Sequence, residues 1–543
     1  MTAAIFILLA LVITTVVLVI SKLQSNKKRA NKFMHDFGQP PDDTDYELGS
    51  IKRYASYIGS HETPGFRVDS ITWNDLDMDG IFKRINVCKT SVGEEYLYNC
   101  LHELNQDDIG LLEREKLISL FTNNVEARLK TQMCLAELGK ENYNSLARIV
   151  LGTNFHMLRY PLLYTALACM PILAASTLFI NVYLGAALIF LTFVVNVIVY
   201  HKAKFIVDIE TINIRYFSKL LYACKKLTAM EYLDSFAVSA TIKENSGVFK
   251  RLSKRISQFS SIRKADFLEL MIYIDILFLS DMRKYNKFMR GIGQYPRQAH
   301  ALFKAVGEID IALSIASFRK SLPAHCLPTF TEGGNMEFSD IFHPLIAQPV
   351  FNSGQFQNQN LITGSNASGK STFIRSLAIN GILAQTIYTC AAKEFKARHC
   401  LIATSMAVQD NLLGGDSYFV VEIKSLKRIL EYAQKYPCAC YIDEILRGTN
   451  TIERISASAA VLAHLHKQNC LCTIATHDIE LTRILADKFD NYHFSESITD
   501  DGIEFDYKLK AGPSTTRNAI KLLDFMNFDK DIVKHAEKMA SEL

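Results

Sequence analysis

Two long runs of apolar residues interrupt the otherwise mixed pattern of hydrophobic and polar positions along the chain. Residues 3–20 carry no charged side chain, and a helix of this length is long enough to cross the hydrocarbon core of a bilayer. Residues 160–200 contain no Asp, Glu, Lys or Arg, a length that suits two spans joined near Asn181. We therefore predict three transmembrane helices, one as an N-terminal anchor over residues 1–21 and two as a hairpin over residues 160–200.

Basic residues beside both runs predict the orientation of these spans. Five Lys and Arg residues lie between Lys22 and Lys32, and Arg159 and Lys202 flank the hairpin. Because cytoplasmic flanks of membrane spans are rich in Lys and Arg, we predict a multi-pass protein of the cell membrane with its domains in the cytoplasm. A secretory signal peptide is the alternative for the first run, although its start lacks a basic residue. A buried helical pair in a soluble core is the alternative for the second run.

The rest of the pattern predicts a multidomain chain with an all-α core and a C-terminal α/β domain. Apolar residues are spaced as in helices on both sides of the hairpin, whereas short apolar runs followed by a loop and a helix dominate further on, as in nucleotide-binding α/β domains. The predicted segments are a basic, polar and partly irregular linker at 22–69, a first core part at 70–159, a second core and lever part at 201–322, the α/β domain at 323–510 and a helical tail at 511–543.

Composition adds few constraints. The 543 residues carry 60 basic and 56 acidic side chains, a net charge of +4, so overall charge gives no argument for nucleic acid binding. The twelve cysteines in a cytoplasmic chain are expected to be reduced thiols. Two Cys-x-Cys pairs, Cys438/Cys440 and Cys470/Cys472, lie in runs that resemble neighbouring strands, which favours small buried hydrophobes over a four-thiolate metal site.

The strongest chemical signal is a glycine-rich motif between an apolar run and a helical run. It matches G-x-x-x-x-G-K-[ST], the Walker A or P-loop pattern, in which backbone N–H groups and a helix N-terminus surround phosphates. We expect Lys370 to reach the β- and γ-phosphates of ATP and Ser371 to bind Mg²⁺. The predicted nucleotide-binding residues are Gly364, Ser365, Asn366, Ala367, Ser368, Gly369, Lys370, Ser371 and Thr372.

Two further apolar runs end in residues suited to ATP hydrolysis. The run at 438–442 ends in Asp443 and Glu444, as in a Walker B element. Asp443 is expected to hold Mg²⁺ together with Ser371, and Glu444 to activate the attacking water. The next such run ends in His477, which can hydrogen-bond a γ-phosphate. Lys370, Glu444 and His477 are therefore the predicted catalytic residues.

Several segments resemble the MutS family, in the order in which that family has them. Residues 406–422 resemble its signature segment, residues 443–451 its run after Walker B, residues 475–482 its His-containing loop, and His343-Pro344 its entry to the ATPase domain. The resemblance implies an ABC-type ATPase that acts as a homodimer. One subunit would supply the Walker residues, and its partner would supply Gly415 and Ser417. Leu446 departs from the family, which has a small Gly at that position.

The resemblance also suggests possible functions for the chain. It implies a MutS-like ATPase that uses ATP hydrolysis as a conformational switch, with a dimerisation tail at 511–543, and the predicted spans add that this ATPase is membrane-anchored. Mismatched or branched DNA is the ligand it suggests, although we find no candidate for the family's mismatch-reading domain before the core. The alternative is an ATP-dependent membrane scaffold that acts on an unidentified protein partner and has no DNA role. A transporter subunit fits less well, because residues 445–451 lack the Pro-Thr-Ser-containing turn of transporters.

Overall fold

The structure is a computed structural model of the chain. It describes all residues except 1, 43–45, 62–65, 142–145, 152–157, 159, 251–267, 358, 366–367, 407–417, 500–501, 515–527 and 543. The chain divides into two compact units. The first comprises residues 1–63, 85–99 and 113–320, and the second comprises residues 64–84, 100–112 and 321–543.

Helices account for nearly all the regular structure up to residue 321. In chain order the described α-helices are α1 (Thr2–Asp36), α2 (Leu48–His61), α3 (Ser70–Asp75), α4 (Met78–Ile85), α5 (Ser91–Cys100), α6 (Ile109–Asn123), α7 (Val125–Leu138), α8 (Leu146–Val150), α9 (Pro161–Ser176), α10 (Val182–Leu227), α11 (Ala237–Ser246), α12 (Leu268–Phe278), α13 (Ser280–Gly293), α14 (Pro296–Ser321), α15 (Lys370–Ile387), α16 (Tyr418–Lys435), α17 (Thr451–Leu465), α18 (Ile479–Ile484) and α19 (Lys530–Glu542). Short 3-10 helices lie at Thr177–Phe179, Glu231–Leu233 and Gly247–Phe249.

The segment predicted as a partly irregular linker is largely helical, which corrects the prediction for residues 22–69. Helix α1 continues to Asp36, and α2 occupies Leu48–His61. The reason is a short apolar stripe in α2: Ile51, Tyr54, Ala55 and Ile58 recur at helical spacing, and all four are buried. The polar residues that suggested a linker lie on the remaining faces.

Among the described residues, two helices of the first unit are long and apolar enough to span a membrane, whereas the sequence predicted three. They are Pro161–Phe179 and Val182–Lys204, and only 17% and 11% of their apolar windows are buried. Such low burial argues against a pair of core helices, because core helices bury their apolar residues. Asn181 separates the two and caps α10 by accepting the N–H groups of Tyr183 and Leu184. Helix α1 includes the predicted N-terminal span, but the side chains of residues 1–12 lie outside the description, so that span stays a prediction.

The second span does not end at the edge of the apolar run. Helix α10 continues without interruption from Val182 to Leu227, 46 residues in all, or about 69 Å at the usual helical rise. Its second half carries Lys, Asp, Glu and Arg side chains and packs on α7. The sequence predicted a boundary at residue 200, whereas one helix joins the hairpin to the second part of the helical core.

The described residues of the second unit form three β-sheets. Its strands are β1 (Thr329–Phe330), β2 (Met336–Ile341), β3 (Asn352–Phe356), β4 (Gln359–Thr363), β5 (Glu394–Ala397), β6 (Leu401–Ser405), β7 (Cys438–Asp443), β8 (Cys470–Ala475), β9 (Phe489–His493), β10 (Glu496–Thr499), β11 (Gly502–Phe505) and β12 (Lys510–Ala511). The largest sheet has the order β12-β9-β4-β8-β7-β6, in which the pairs from β9 to β6 are parallel. A smaller sheet has the order β1-β5-β2-β3, and β10 pairs with β11.

Strands β4, β6, β7 and β8 are buried along their whole length. Such continuous burial is typical of parallel strands that are covered on both faces, and helix α15 contacts β6, β7 and β8. The carboxyl ends of β4, β7 and β8 therefore meet at one edge of the sheet, the place where α/β proteins bind ligands.

Two short segments of the predicted helical core belong instead to the second unit. Residues 64–84 pack there through α3, where the Thr72 hydroxyl accepts the N–H of Thr404 at 3.2 Å. Residues 100–112 pack there through Asn105, whose side-chain N–H donates to the Gln385 carbonyl at 2.7 Å. These partners lie roughly 300 residues away in sequence, so local periodicity could not have assigned the two segments to the ATPase part.

The two Cys-x-Cys pairs lie on neighbouring strands, as the sequence indicated. Cys438 pairs in register with Cys470, and Cys440 pairs with Cys472. All four side chains are buried, and the Sγ atoms of Cys438 and Cys440 lie 3.4 Å apart. The described residues contain no group of three or more His, Cys, Asp or Glu side chains placed to hold a metal ion.

Candidate nucleotide-binding site

A glycine-rich loop, residues 364–369, joins the end of β4 to the start of α15. Gly364 has φ 142° and Gly369 has φ 98°, conformations that a residue with a Cβ atom rarely adopts. Space also excludes a side chain at both positions. A Cβ atom on Gly364 would lie 2.6 Å from the Phe494 carbonyl oxygen, and one on Gly369 would lie 2.9 Å from Cδ1 of Tyr507. Asn366 and Ala367 lie outside the described residues.

Lys370 begins α15 and points back into this loop. Its Nζ donates hydrogen bonds to the carbonyl oxygens of Gly364 and Ser365, both at 2.6 Å. The side chain is buried, and burial lowers the Lys370 pKa to about 8, against the opposing effect of Glu444 and Asp443. Within the loop, Ser368 donates to the Ser365 carbonyl at 2.8 Å. Ser371 and Thr372 form the first turn of α15 and are partly or fully exposed.

Asp443 and Glu444 lie at the end of β7, beside the end of β8. Asp443 is paired in register with Ala475, and the N–H of Glu444 donates to the Ala475 carbonyl at 2.9 Å. The next N–H along the chain after β8, that of Thr476, donates to the Ile362 carbonyl of β4 at 3.0 Å. These bonds bring the ends of β4, β7 and β8, and with them Lys370, Glu444 and His477, to one place.

Glu444 has a side-chain partner on each carboxylate oxygen. His477 Nε2 lies 2.9 Å from Oε1, and Arg447 forms an ion pair with Oε2 through Nε. Burial would raise the pKa of Glu444, but the hydrogen bond and charge of His477, with Arg447 and Lys370, outweigh it and lower the pKa below its ordinary value. The carboxylate is therefore ionised at neutral pH. Arg447 lies in the run after Walker B at residues 443–451, and the sequence pattern assigned it no role.

A second ion pair fixes the loop that carries His477. Arg454 of α17 donates from Nε and Nη2 to the two carboxylate oxygens of Asp478, at 2.9 and 2.6 Å. The N–H of Asp478 in turn donates to the Thr476 hydroxyl at 3.0 Å. Bidentate Arg–carboxylate pairs restrict orientation as well as distance, so the residue after His477 is held firmly. Arg454 lies 23 residues from His477, and no local pattern pointed to it.

Asp443 fits the role of a cation ligand. Its Oδ1 is buried and has no hydrogen-bond partner within the described structure, and a buried carboxylate oxygen without a partner is costly. Ser371 offers a hydroxyl in the adjoining first turn of α15. Mg²⁺ bound with a nucleotide takes most of its ligands from phosphate and water and needs only one or two protein groups. These two residues therefore suit Mg²⁺.

A cavity adjoins the glycine-rich loop on the side of the smaller sheet. Its volume is about 460 Å³, and it includes Gly369 and Thr372 in its wall. His343 also lines it, and burial together with Arg375 lowers the His343 pKa to about 4. His343 Nδ1 accepts the N–H of Leu345 at 3.3 Å. The other lining side chains are mostly apolar and include Ile346, Pro349, Val350, Phe494 and Tyr507.

The predicted signature residues cannot be placed. Gly415 and Ser417 lie outside the described residues, which resume at Tyr418 with α16. Both flanks of that segment are described: β6 leads to Met406, and α16 begins immediately after residue 417.

Comparison with known proteins finds a family match in the C-terminal region. The family model described as MutS domain V matches residues 360–543, which include every site residue described above except His343 and the other cavity residues before residue 360. The C-terminal region of the chain is therefore similar to domain V of the MutS family.

Individual MutS proteins agree with this assignment. The chain is 28% identical to a protein named DNA mismatch repair protein MutS from Natronomonas pharaonis, over 44% of this chain and 28% of that protein. It is 29% identical to the protein of that name from Thermus thermophilus, over 34% of this chain and 23% of that one. The corresponding protein from Streptococcus gordonii is 27% identical, over 48% of this chain and 32% of its own length. The chain thus spans about a quarter to a third of these relatives.

Proposed function

We propose that the chain is a membrane-anchored MutS-like ATPase that binds ATP and Mg²⁺ and hydrolyses ATP as a conformational switch. The observation that supports this most directly is the meeting of Lys370, Asp443, Glu444 and His477 where β4, β7 and β8 end. Four groups suited to phosphate, cation and water thus adjoin one glycine-rich loop in which Gly364 and Gly369 leave no room for a Cβ atom. Electrostatic stabilisation and positioning supply most of the catalysis in phosphoryl transfer, and these residues provide both.

The Lys370 ammonium donates to two carbonyl groups of the loop. We propose that ATP binding exchanges the Gly364 and Ser365 carbonyls for β- and γ-phosphate oxygens. The backbone N–H groups of residues 364–372, at the N-terminus of α15, then face the same phosphates. A buried ammonium gains more from this exchange than an exposed one, because the low local dielectric strengthens its attraction to phosphate.

Glu444 is proposed to orient the attacking water and accept its proton. The carboxylate is ionised because His477 and Arg447 lower its pKa, and an ionised carboxylate at hydrogen-bonding distance from water is the requirement for a general base. His477, which contacts Glu444 through Nε2, is proposed to reach the γ-phosphate when ATP is present. When bound, Mg²⁺ neutralises charge on the phosphates, and Asp443 and Ser371 would hold it.

The cavity beside the glycine-rich loop is proposed to receive the adenine base. It adjoins Gly369 and Thr372, so a nucleotide with its phosphates on the loop would extend into it. Its apolar lining and its volume suit a planar base. The low pKa of His343 keeps this imidazole neutral, and since Nδ1 accepts the Leu345 N–H, Nε2 carries the proton and can donate to a ring nitrogen.

We further propose that the protein works as a homodimer with its domains in the cytoplasm and its hairpin at residues 160–200 in the cell membrane. Gly415 and Ser417 would contact the γ-phosphate bound by the partner subunit. The low burial of the two apolar helices supports the membrane placement. DNA is the second candidate ligand, favoured by the names of the mismatch repair proteins that the chain resembles. Purified dimer that binds duplex, mismatched or branched DNA with steep salt dependence would support it, and no binding at low salt would exclude it.

Phosphate release by the detergent-solubilised chain tests the ATPase proposal. The wild type should hydrolyse ATP in the presence of Mg²⁺, and Lys370→Ala should lose ATP binding. Glu444→Gln should bind ATP normally but lose roughly 100-fold or more in turnover, the usual contribution of a general base. Glu431→Gln, an exposed carboxylate on α16, is the matched control. Wild-type turnover no greater than that of Lys370→Ala would overturn the proposal.

A further inference from the structure

The turn after β7 is strained at two positions. Glu444 has φ 56° and Leu446 has φ 59°, so two residues with side chains occupy the left-handed region within three positions. Such conformations persist only where surrounding contacts hold them, and they concentrate at functional sites. The contacts that hold this turn therefore also determine where the Glu444 carboxylate points.

Glu422 of α16 provides two of these contacts. Its Oε1 accepts the backbone N–H of Leu446 and the backbone N–H of Arg447, the latter at 3.3 Å. The side chain is only 5% exposed, and Oε2 has no hydrogen-bond partner within the described structure. Burial accordingly raises the pKa of Glu422. Because burying a carboxylate oxygen without a hydrogen-bond partner costs free energy, we expect Glu422 to serve a function at this position.

A second contact brings α16 and the same turn close together. A Cβ atom on Gly448 would lie 2.8 Å from the Cβ of Phe419, so this helix and this loop approach as closely as a glycine allows. Between the two contacts lies Arg447, whose backbone is held by Glu422 and whose side chain pairs with Glu444. Fixing the backbone at 446–447 thus fixes both the base and its cationic partner.

We propose that Glu422 is a positioning residue for ATP hydrolysis: its carboxylate holds the turn at residues 443–447 so that Glu444 faces the attacking water. This inference rests on the proposed ATPase function. Glu422 acts through the backbone N–H groups of Leu446 and Arg447 and touches neither nucleotide nor water itself. A purely structural contact would affect folding or nucleotide binding, whereas a positioning contact affects the chemical step.

Three variants separate these roles. Glu422→Gln keeps an oxygen that can accept both N–H groups, whereas Glu422→Met removes every acceptor at nearly the same volume. Glu431→Met repeats the second change at an exposed position of the same helix. The measurements are kcat and KM for ATP, ATP affinity without turnover, and hydrogen exchange of peptides that contain Leu446 and Arg447.

We expect Glu422→Gln and Glu431→Met to keep wild-type kcat. Glu422→Met should lower kcat by roughly 10- to 100-fold, the effect of a small misplacement of a catalytic group, with ATP affinity unchanged. Its amides at 446 and 447 should exchange faster. Adding Leu446→Gly to Glu422→Met should restore part of kcat, because glycine adopts a positive φ without strain.

These measurements distinguish a failure of the positioning role from a failure of the proposed ATPase function. A wild type that does not hydrolyse ATP overturns the proposed function. An active wild type with an equally active Glu422→Met variant overturns only the positioning role. Equal losses in Glu422→Gln and Glu422→Met also overturn it, since the hydrogen-bond acceptor would then not matter. If Glu422→Met fails to fold, the double variant with Leu446→Gly and the Glu422→Gln variant still decide between these outcomes.

Discussion

The imidazole of His477 contacts the carboxylate of Glu444, with Nε2 2.9 Å from Oε1. The pair joins the ends of β8 and β7, two adjacent parallel strands, and it opposes the effect of burial on the Glu444 pKa. One contact therefore links the group proposed to reach the γ-phosphate with the group proposed to activate water. Changes at His477 should appear in the ionisation of Glu444 as well as in the rate.

Replacing His477 tests this link. His477→Ala removes the largest influence that lowers the Glu444 pKa, so burial acts against Arg447 and Lys370 alone and the pKa rises. Because the base works only when ionised, the acidic limb of the kcat–pH profile should move to higher pH. We also expect kcat at neutral pH to fall on the order of 100-fold, as for loss of one transition-state hydrogen bond. A lower rate with an unshifted acidic limb would contradict the link, and His464→Ala on α17 is the control.

Lys370 should make ATP binding depend on pH. Burial lowers its pKa to about 8, and phosphate oxygens should raise it again on binding. Above pH 8 binding must therefore take up a proton, so ATP affinity should fall as pH rises from about 8 towards 10, by at most tenfold per unit.

Calorimetry at pH 9 in two buffers of different ionisation enthalpy measures this proton uptake. Lys370→Arg is the control, because a guanidinium does not titrate in this range and any uptake it shows must come from other groups. Equal uptake by the wild type and Lys370→Arg would contradict the assignment of the low pKa to Lys370.

Asp75 should stabilise the second unit through two hydrogen bonds to the end of β6. Its Oδ2 accepts the Thr404 hydroxyl at 2.7 Å and the Met406 N–H at 3.0 Å. Asp75→Ala leaves a buried N–H unpaired, which costs about 1–3 kcal/mol in the free energy of unfolding. Asp75→Asn should cost less, because an amide oxygen still accepts and burial already raises the Asp75 pKa.

Hydrogen exchange of peptides covering residues 401–406 measures this cost locally, which avoids assuming that the two units unfold together. Asp487→Ala, which removes an exposed carboxylate paired with Lys488, is the control and should change nothing in those peptides. Unchanged exchange in Asp75→Ala would show that these hydrogen bonds contribute no net stability.

The Asp75 contact also shows what the sequence could and could not reveal. The loop, Asp443, Glu444 and His477 belong to short motifs, each readable from a few neighbouring residues at the end of an apolar run. Asp75 and Thr404 are 329 positions apart, so no pattern within a window of the chain could pair them. The sequence did not predict the roles of Glu422 and Arg454 for the same reason, since each acts on a turn that is distant in sequence. Helix α10 extended past residue 200 because charge ends an apolar run but does not end a helix.

The hairpin at residues 160–200 should cross the membrane with its tip outside the cytoplasm. Basic flanks place both ends inside, and the apolar side chains of both helices are largely exposed. In a variant without the native cysteines, a cysteine at Asn181 should react with an impermeant maleimide added to whole cells. Cysteines at Lys202 and Glu141 should react only after permeabilisation. Reaction of the Asn181 cysteine only from the cytoplasmic side would contradict the topology.

The continuous helix α10 should transmit the ATP state of the dimer to the membrane. In MutS-like proteins long lever arms lead from the helical core to a clamp that closes over DNA, and we predict that the hairpin occupies the place of that clamp. An uninterrupted helix from Val182 to Leu227 is stiff along its axis, because every residue between is held in the same hydrogen-bond ladder. Movement of its charged half should therefore change the spacing or tilt of partner hairpins. The apolar surface of the hairpins can be buried in lipid, whereas in water such a surface would promote aggregation.

Cross-linking between cysteines at Asn181 in the two subunits measures that spacing, and its yield should differ between ATP-bound Glu444→Gln and nucleotide-free protein. Inserting three glycines after Ala203 should abolish the difference while leaving ATP hydrolysis intact, because glycine interrupts the rigid helix just where it leaves the membrane. Three alanines at the same point are the control, since they lengthen the helix without breaking it. If the cross-linking yield in the chain without an insertion is identical with and without ATP, the hairpin is only an anchor. If the ATP-dependent difference in yield is lost with the glycine insertion and kept with the alanine insertion, the continuity of the helix is its cause.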